Sequence, residues 1–265
     1  MAIMKKDVEI KIFPDPAEVF KSAAADFSQR AIAAIQRQGV FNVVLSGGNT
    51  ATFFFDSLVE CYKDQIPWGQ IQFFFGDERY VPADDVQSNY HMAYEHLFSK
   101  VAVPKENIHR IPTGLNDPNA AAEEYEHSLR KLFNTQNTEF PKFDLLYLGL
   151  GENAHTASLM PLSDVVKDAA KNLSGSQNPR LVASLLVPEL NMYRITLTPN
   201  AINNSSCIIF LVTGESKAPA VYEVLEGPIA PEQYPAQLIH CLYGKTIWYL
   251  DHAAAKKLNV CHPMD

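Results

Sequence analysis

Apolar positions recur along the chain with two periods. Residues 15–38 set Val19, Phe20, Ala23, Phe27, Ala31, Ile32 and Ile35 at helical spacing, which predicts a helix with one buried face. Asp15 suits its N-cap, Pro16 its first position and Gly39 its stop. Residues 9–13 alternate charged and apolar side chains, as a half-exposed strand does. Residues 41–45 (FNVVL) and 71–75 (IQFFF) are short apolar runs, as in strands covered on both faces. Further strands are predicted at 143–148, 181–187, 193–197, 207–213 and 246–250. Further helices are predicted at 51–62, 89–98, 120–133 and 218–225. Strands alternating with helices imply βαβ units. The expected fold is α/β, a doubly wound, largely parallel sheet with helices on both faces. The strongest breaks, 174–180 and 227–235, read as surface loops, so one domain is expected over 1–265.

The composition is that of a globular chain, 47% hydrophobic and 20% charged, which excludes disordered and collagen-like classes. Twenty-two basic residues against 30 acidic ones give a net charge of -8. That balance speaks against a general nucleic-acid binder, but a small anion needs only a few local cations. Cys61, Cys207, Cys241 and Cys261 are far apart and lack zinc spacing, so they read as buried free thiols in a reducing compartment. The first residues lack the apolar core of a signal peptide, and no run reaches the ~18 apolar residues of a membrane span. A cytoplasmic protein without a membrane partner is expected.

Four polar segments follow predicted strands, where open α/β sheets collect ligands. Ser46, Gly47, Gly48, Asn49 and Thr50 follow the strand at 41–45. Glycines, hydroxyls and helix-start amides there suit a phosphate, although the segment is neither GxxxxGK[ST] nor GxGxxG. A plain strand-to-helix turn capped by Thr50 is the other reading. Asp77, Glu78 and Arg79 follow the phenylalanine run, forming either a site or a solvated charged turn; the Arg79 fork suits phosphate. His155 lies in the Gly-rich segment GLGENAHTASL, and imidazole titrates near cellular pH. A lone histidine is more often structural. Arg194 opens the strand RITLT, and Lys217 sits at a strand-to-helix turn, where a cation opposes the helix dipole unless an anion is present. The phenylalanine runs at 53–55 and 73–75 read as core.

Taken together these segments resemble the 6-phosphogluconolactonase family, which shares a superfamily with glucosamine-6-phosphate deaminase. The most specific stretch is FFFGDERYVPADDVQSNYHMAYEHLF; GLGENAHTASLMP looks like the family's GxGxDGHTASLFP. The resemblance implies the Rossmann-like sugar-phosphate isomerase/deaminase fold. It implies hydrolysis of 6-phospho-D-glucono-1,5-lactone to 6-phosphogluconate in the oxidative pentose phosphate pathway, without metal or organic cofactor. A monomer is expected, with the phosphorylated lactone as its partner. By position His155 would be the general base, and Asp77 would sit at the catalytic site, bonding to sugar hydroxyls or helping to orient groups. Ser46 to Thr50, Arg79, Arg194 and Lys217 would bind substrate, the cations taking the phosphate. Three positions depart from the family pattern: Asn153 replaces an Asp, Ala154 a Gly and Asn49 a Ser. An amino-sugar-phosphate deaminase or isomerase, or a non-catalytic sugar-phosphate binder weakened at Asn153 and Ala154, are the alternatives.

Overall fold

The computed structural model describes residues 8–136, 138–171 and 180–259. The loop expected at 174–180, except Arg180, lies outside these residues, as do residues 1–7 and Cys261. In chain order the strands are β1 (Val8–Phe13), β2 (Phe41–Leu45), β3 (Ile71–Phe75), β4 (Asp77–Arg79) and β5 (Ile108–His109). They continue as β6 (Leu145–Leu148), β7 (Val182–Val187), β8 (Met192–Leu197), β9 (Cys207–Val212) and β10 (Lys245–Asp251). Seven of them form a parallel sheet in the order β1-β10-β9-β6-β2-β3-β5. The chain winds outward from β2 through β3 to β5, then returns to β2's other side with β6. The β2–β6 junction is therefore the topological switch point, and a crevice opens there at the strands' carboxyl ends.

Helices pack around this sheet: α1 (Pro16–Gln38), α2 (Asn49–Tyr62), α3 (Asn89–Ala93), α4 (Pro118–Phe133), α5 (Asp164–Lys171), α6 (Pro199–Asn203), α7 (Ala218–Leu225) and α8 (His252–Ala255). Helix α1 follows its sequence signals closely. Asp15 Oδ1 accepts from the Glu18 amide at 3.0 Å, and Gly39 ends the helix at φ +79° with its amide on Ile35 O at 2.8 Å. Half of its buried stripe is alanine, which lets it lie close to α2 and the sheet. Phe27 meets Phe41 edge-on, ring centroids 5.5 Å apart. No helix among the described residues is long and apolar enough to cross a membrane.

Several elements differ from expectation. The strands at 181–187 and 193–197 leave the parallel sheet and form, with β4, a second antiparallel sheet ordered β4-β8-β7. A short 3-10 turn, Pro188–Leu190, joins β7 to β8, with Asn191 at φ +45°. So short a link permits only a hairpin, because parallel neighbours need a long crossover. The charged segment after β3 is the third strand of this sheet. The helix expected at 51–62 begins two residues earlier, with Gly48 and not Thr50 as N-cap. The helix expected at 89–98 is α-helical to Ala93 and a π-turn from Tyr94 to Phe98. Among the described cysteines Cys207 is buried but Cys61 is exposed. One hydrophobic cluster runs through residues of both sheets.

Candidate active site

The crevice at the switch point is a cleft of about 500 Å³. All ten residues picked out in the sequence line it: Ser46, Gly47, Gly48, Asn49, Thr50, Asp77, Arg79, His155, Arg194 and Lys217. One wall is the turn after β2. Gly48 stands at φ +90°, a backbone that favours glycine, and caps α2 without any side-chain hydrogen bond. The first turn of α2 therefore faces the cleft as a donor end of positive dipole.

The opposite wall is the small sheet. Gly76 is where the chain steps off the parallel sheet: its amide donates to Leu45 O at 2.9 Å and its carbonyl accepts from Leu197 N at 2.8 Å. Beyond it, Asp77, Glu78 and Arg79 pair with Thr196, Ile195 and Arg194. Two arginines thus stand directly opposite each other, a like-charge pairing that destabilises a sheet unless an anion lies between them. Arg79 Nη1 donates to Gln87 O at 2.5 Å. The Nε atoms of both arginines are buried without a hydrogen-bond partner among the described residues. Burial and the facing Arg79 make Arg194 less basic than a free arginine. Lys217 joins the same cleft from the end of a 3-10 turn, Glu215–Lys217, after β9. Glycine at 214, with φ +96°, turns the chain there and is held by its amide on Asp251 Oδ1 at 3.0 Å.

Between these walls the loop after β6 carries His155. Gly151 N donates to His155 O at 2.8 Å and Ala154 N to Gly151 O at 2.9 Å, closing a tight turn. Ala154 occupies the left-handed region at φ +61°, the conformation a glycine would take there without strain. A Cβ on Gly151 would lie 2.1 Å from His155 Nδ1, so only glycine lets the imidazole pack onto this turn. The Asn153 Oδ1 atom accepts from the His155 amide at 3.2 Å and lies 2.5 Å from His155 Nδ1. With the amide oxygen facing it, Nδ1 carries the proton and Nε2 keeps its lone pair. Burial pushes the imidazole below its ordinary pKa. Asp77 opposes this, while Arg194, Lys217 and Arg79 add to it. His155 is therefore neutral near pH 7.

Asp77 is buried at the cleft floor, where Ser158 Oγ donates to its Oδ2 at 2.5 Å and Asn89 Nδ2 approaches its Oδ1 at 3.3 Å. Sequence reasoning missed Asn89, Ser158 and Phe53. Asn89 and Phe53 line the cleft; Ser158 braces Asp77 from behind. Phe53 also corrects the reading of its run as core: it is 57% exposed, stacked on Phe20, whereas Phe54 and Phe55 are buried. Helical spacing would have turned one of three consecutive residues outward.

The family model described as glucosamine-6-phosphate isomerases/6-phosphogluconolactonase matches residues 14–248. A 6-phosphogluconolactonase of Nostoc sp. is 35% identical over 260 residues, covering 97% of this chain and 100% of that one. The crystal structure of a devB protein is 36% identical, with TM-score 0.82 over 95% of this chain and 99% of its own. The 6-phosphogluconolactonase structure from Trypanosoma cruzi is 27% identical, with TM-score 0.83 over 97% and 99%. Sequence and topology agree along nearly the whole chain, and the protein belongs to the glucosamine-6-phosphate isomerase/6-phosphogluconolactonase family.

Proposed function

We propose that the protein hydrolyses 6-phospho-D-glucono-1,5-lactone to 6-phosphogluconate, the lactonase step of the oxidative pentose phosphate pathway. The observation that carries this reading is an imidazole whose Nδ1 faces Asn153 Oδ1, leaving Nε2 as the base, in one cleft with the facing pair Arg79 and Arg194. The arginines, Lys217 and the uncapped start of α2 are the positive end, suited to the phosphate. The phosphate then serves as a handle whose binding energy positions the ring.

His155 Nε2 removes a proton from water as the water oxygen bonds to the lactone carbonyl carbon. The tetrahedral oxyanion collapses, the bond from that carbon to the ring oxygen breaks, and the imidazolium returns its proton to the ring oxygen. The carboxylic acid product then ionises, releasing one proton per turnover. Asp77 is assigned to the substrate hydroxyls and to stabilising the imidazolium as it forms. Every group in this scheme comes from one chain, so a monomer is a complete catalyst.

The test is proton release from freshly made lactone, with the spontaneous rate subtracted. His155→Ala should lower kcat by about 10²- to 10⁴-fold, the usual scale for a positioned base. A wild-type rate no faster than buffer, or a variant with near-normal kcat, refutes the assignment.

A further inference from the structure

Gly47 and Gly48 are adjacent but are glycines for different reasons. Gly48 needs its positive φ, and a Cβ there would meet open space. Gly47 has no positive φ, yet a Cβ on it would sit 1.9 Å from Asn89 Oδ1, 2.3 Å from Cγ and 2.7 Å from Nδ2. The amide of Asn89 fills the place where any other residue would put its side chain.

That amide has no freedom to move aside. Asn89 is 2% exposed. Its backbone amide donates to Glu78 Oε1 at 2.7 Å, and the buried Glu78 carboxylate also accepts from Arg79 N, Tyr90 N and Ser88 Oγ. Its Nδ2 donates to Asp77 O at 2.9 Å and approaches Asp77 Oδ1. Flipping the amide would set an oxygen against the Asp77 carbonyl and carboxylate, so both donors hold one orientation. Oδ1 is left buried without a hydrogen-bond partner among the described residues. An apolar side chain would avoid that cost, so packing alone does not account for an asparagine here.

We infer that Asn89 is a positioning residue that interlocks the Gly47 turn with the Asp77–Arg79 strand, setting the distance between the two walls of the cleft. It acts through Gly47 on one side and through Asp77 on the other. The inference extends the lactonase reading, since the walls it spaces are those assigned to the phosphate and the ring.

The test is a double-mutant cycle of Gly47→Ala, Asn89→Ala and the pair, with Asn89→Asp as the isosteric control. For each protein kcat and KM on 6-phosphogluconolactone are measured separately, with unfolding free energy from urea titration. Gly47→Ala alone should raise KM about tenfold or more, as its Cβ drives the walls apart. Adding Asn89→Ala vacates the space, so the pair should be no worse than Asn89→Ala alone. Asn89→Asp keeps the shape but sets a second carboxylate against Asp77, and should not restore activity. Losses that multiply in the pair, or a Gly47→Ala variant with unchanged KM, overturn the interlock. If wild type does not hydrolyse the lactone, the functional reading fails on its own. The coupling between the two substitutions in unfolding free energy then still decides the interlock, additivity refuting it.

Discussion

Asn153→Asp changes one atom type beside the proposed base and leaves its shape. The present amide oxygen accepts from His155 Nδ1 at 2.5 Å but carries no charge. A carboxylate there would face the imidazolium with charge centres about 4 Å apart, worth about 4 kcal/mol at the effective dielectric of a protein surface. Asn153 is exposed, and solvent screening at the cleft mouth reduces this to about 2 kcal/mol, or roughly 1.5 pH units. The sign follows from the wild type. Burial and three cations hold the His155 pKa below its ordinary value, so the base form persists to lower pH than a free imidazole would allow. The new carboxylate favours the protonated form and raises that pKa. The acid limb of kcat/KM should therefore move up by about one to two pH units in Asn153→Asp, with kcat equal or higher on the alkaline plateau. The assay is the initial rate from pH 5 to 8, corrected at each pH for spontaneous ring opening. A limb that stays put or moves down would mean that Nδ1 is not what residue 153 senses.

Two further substitutions test the walls of the cleft. Gly151→Ala should lower kcat by about 10²-fold with KM nearly unchanged, because its Cβ displaces the His155 ring and not the cations; kcat within twofold of wild type would contradict the packing argument. Arg194→Gln should stabilise the unliganded protein by about 0.2–1 kcal/mol, by relieving the Arg79–Arg194 opposition, while raising KM for the phosphorylated lactone. Urea unfolding and steady-state kinetics read the two effects, and a destabilised variant with normal KM would refute both.

Much of the fold and all ten candidate site residues were legible because each rests on local information. Apolar runs such as FNVVL and IQFFF mark strands by themselves, and the residues just past them reach a common crevice through the general rule for open α/β sheets. What stayed hidden depends on partners far along the chain. Strand β4 is three charged residues with no alternation to read, and it exists because β8 pairs with it. Asn89 looks like an ordinary residue at a helix start; only the fold brings its amide onto Gly47 and Asp77. Ser158 likewise gains meaning through Asp77, which it braces at 2.5 Å.

The departures at Asn153 and Ala154 raised the possibility of a site that binds without turning over, and the geometry argues the other way. An alanine in the left-handed region costs about 1–2 kcal/mol, and the loop keeps that conformation because hydrogen bonds on both sides of it hold. Ala154 N reaches Gly151 O at 2.9 Å, and Ala236 N reaches Ala154 O at 3.1 Å. A loop freed of its task would relax to a cheaper backbone. Other costs gather at the same cleft. Of the six buried side-chain polar atoms without a hydrogen-bond partner among the described residues, three belong to Arg79, Asn89 and Arg194. Two of these three sit on facing cations, whose repulsion an anionic ligand would reverse. The strain at Ala154 and the unmet polar groups of Arg79 and Arg194 meet in one crevice, a destabilisation that ligand binding relieves, which is what a site organised before its substrate arrives requires.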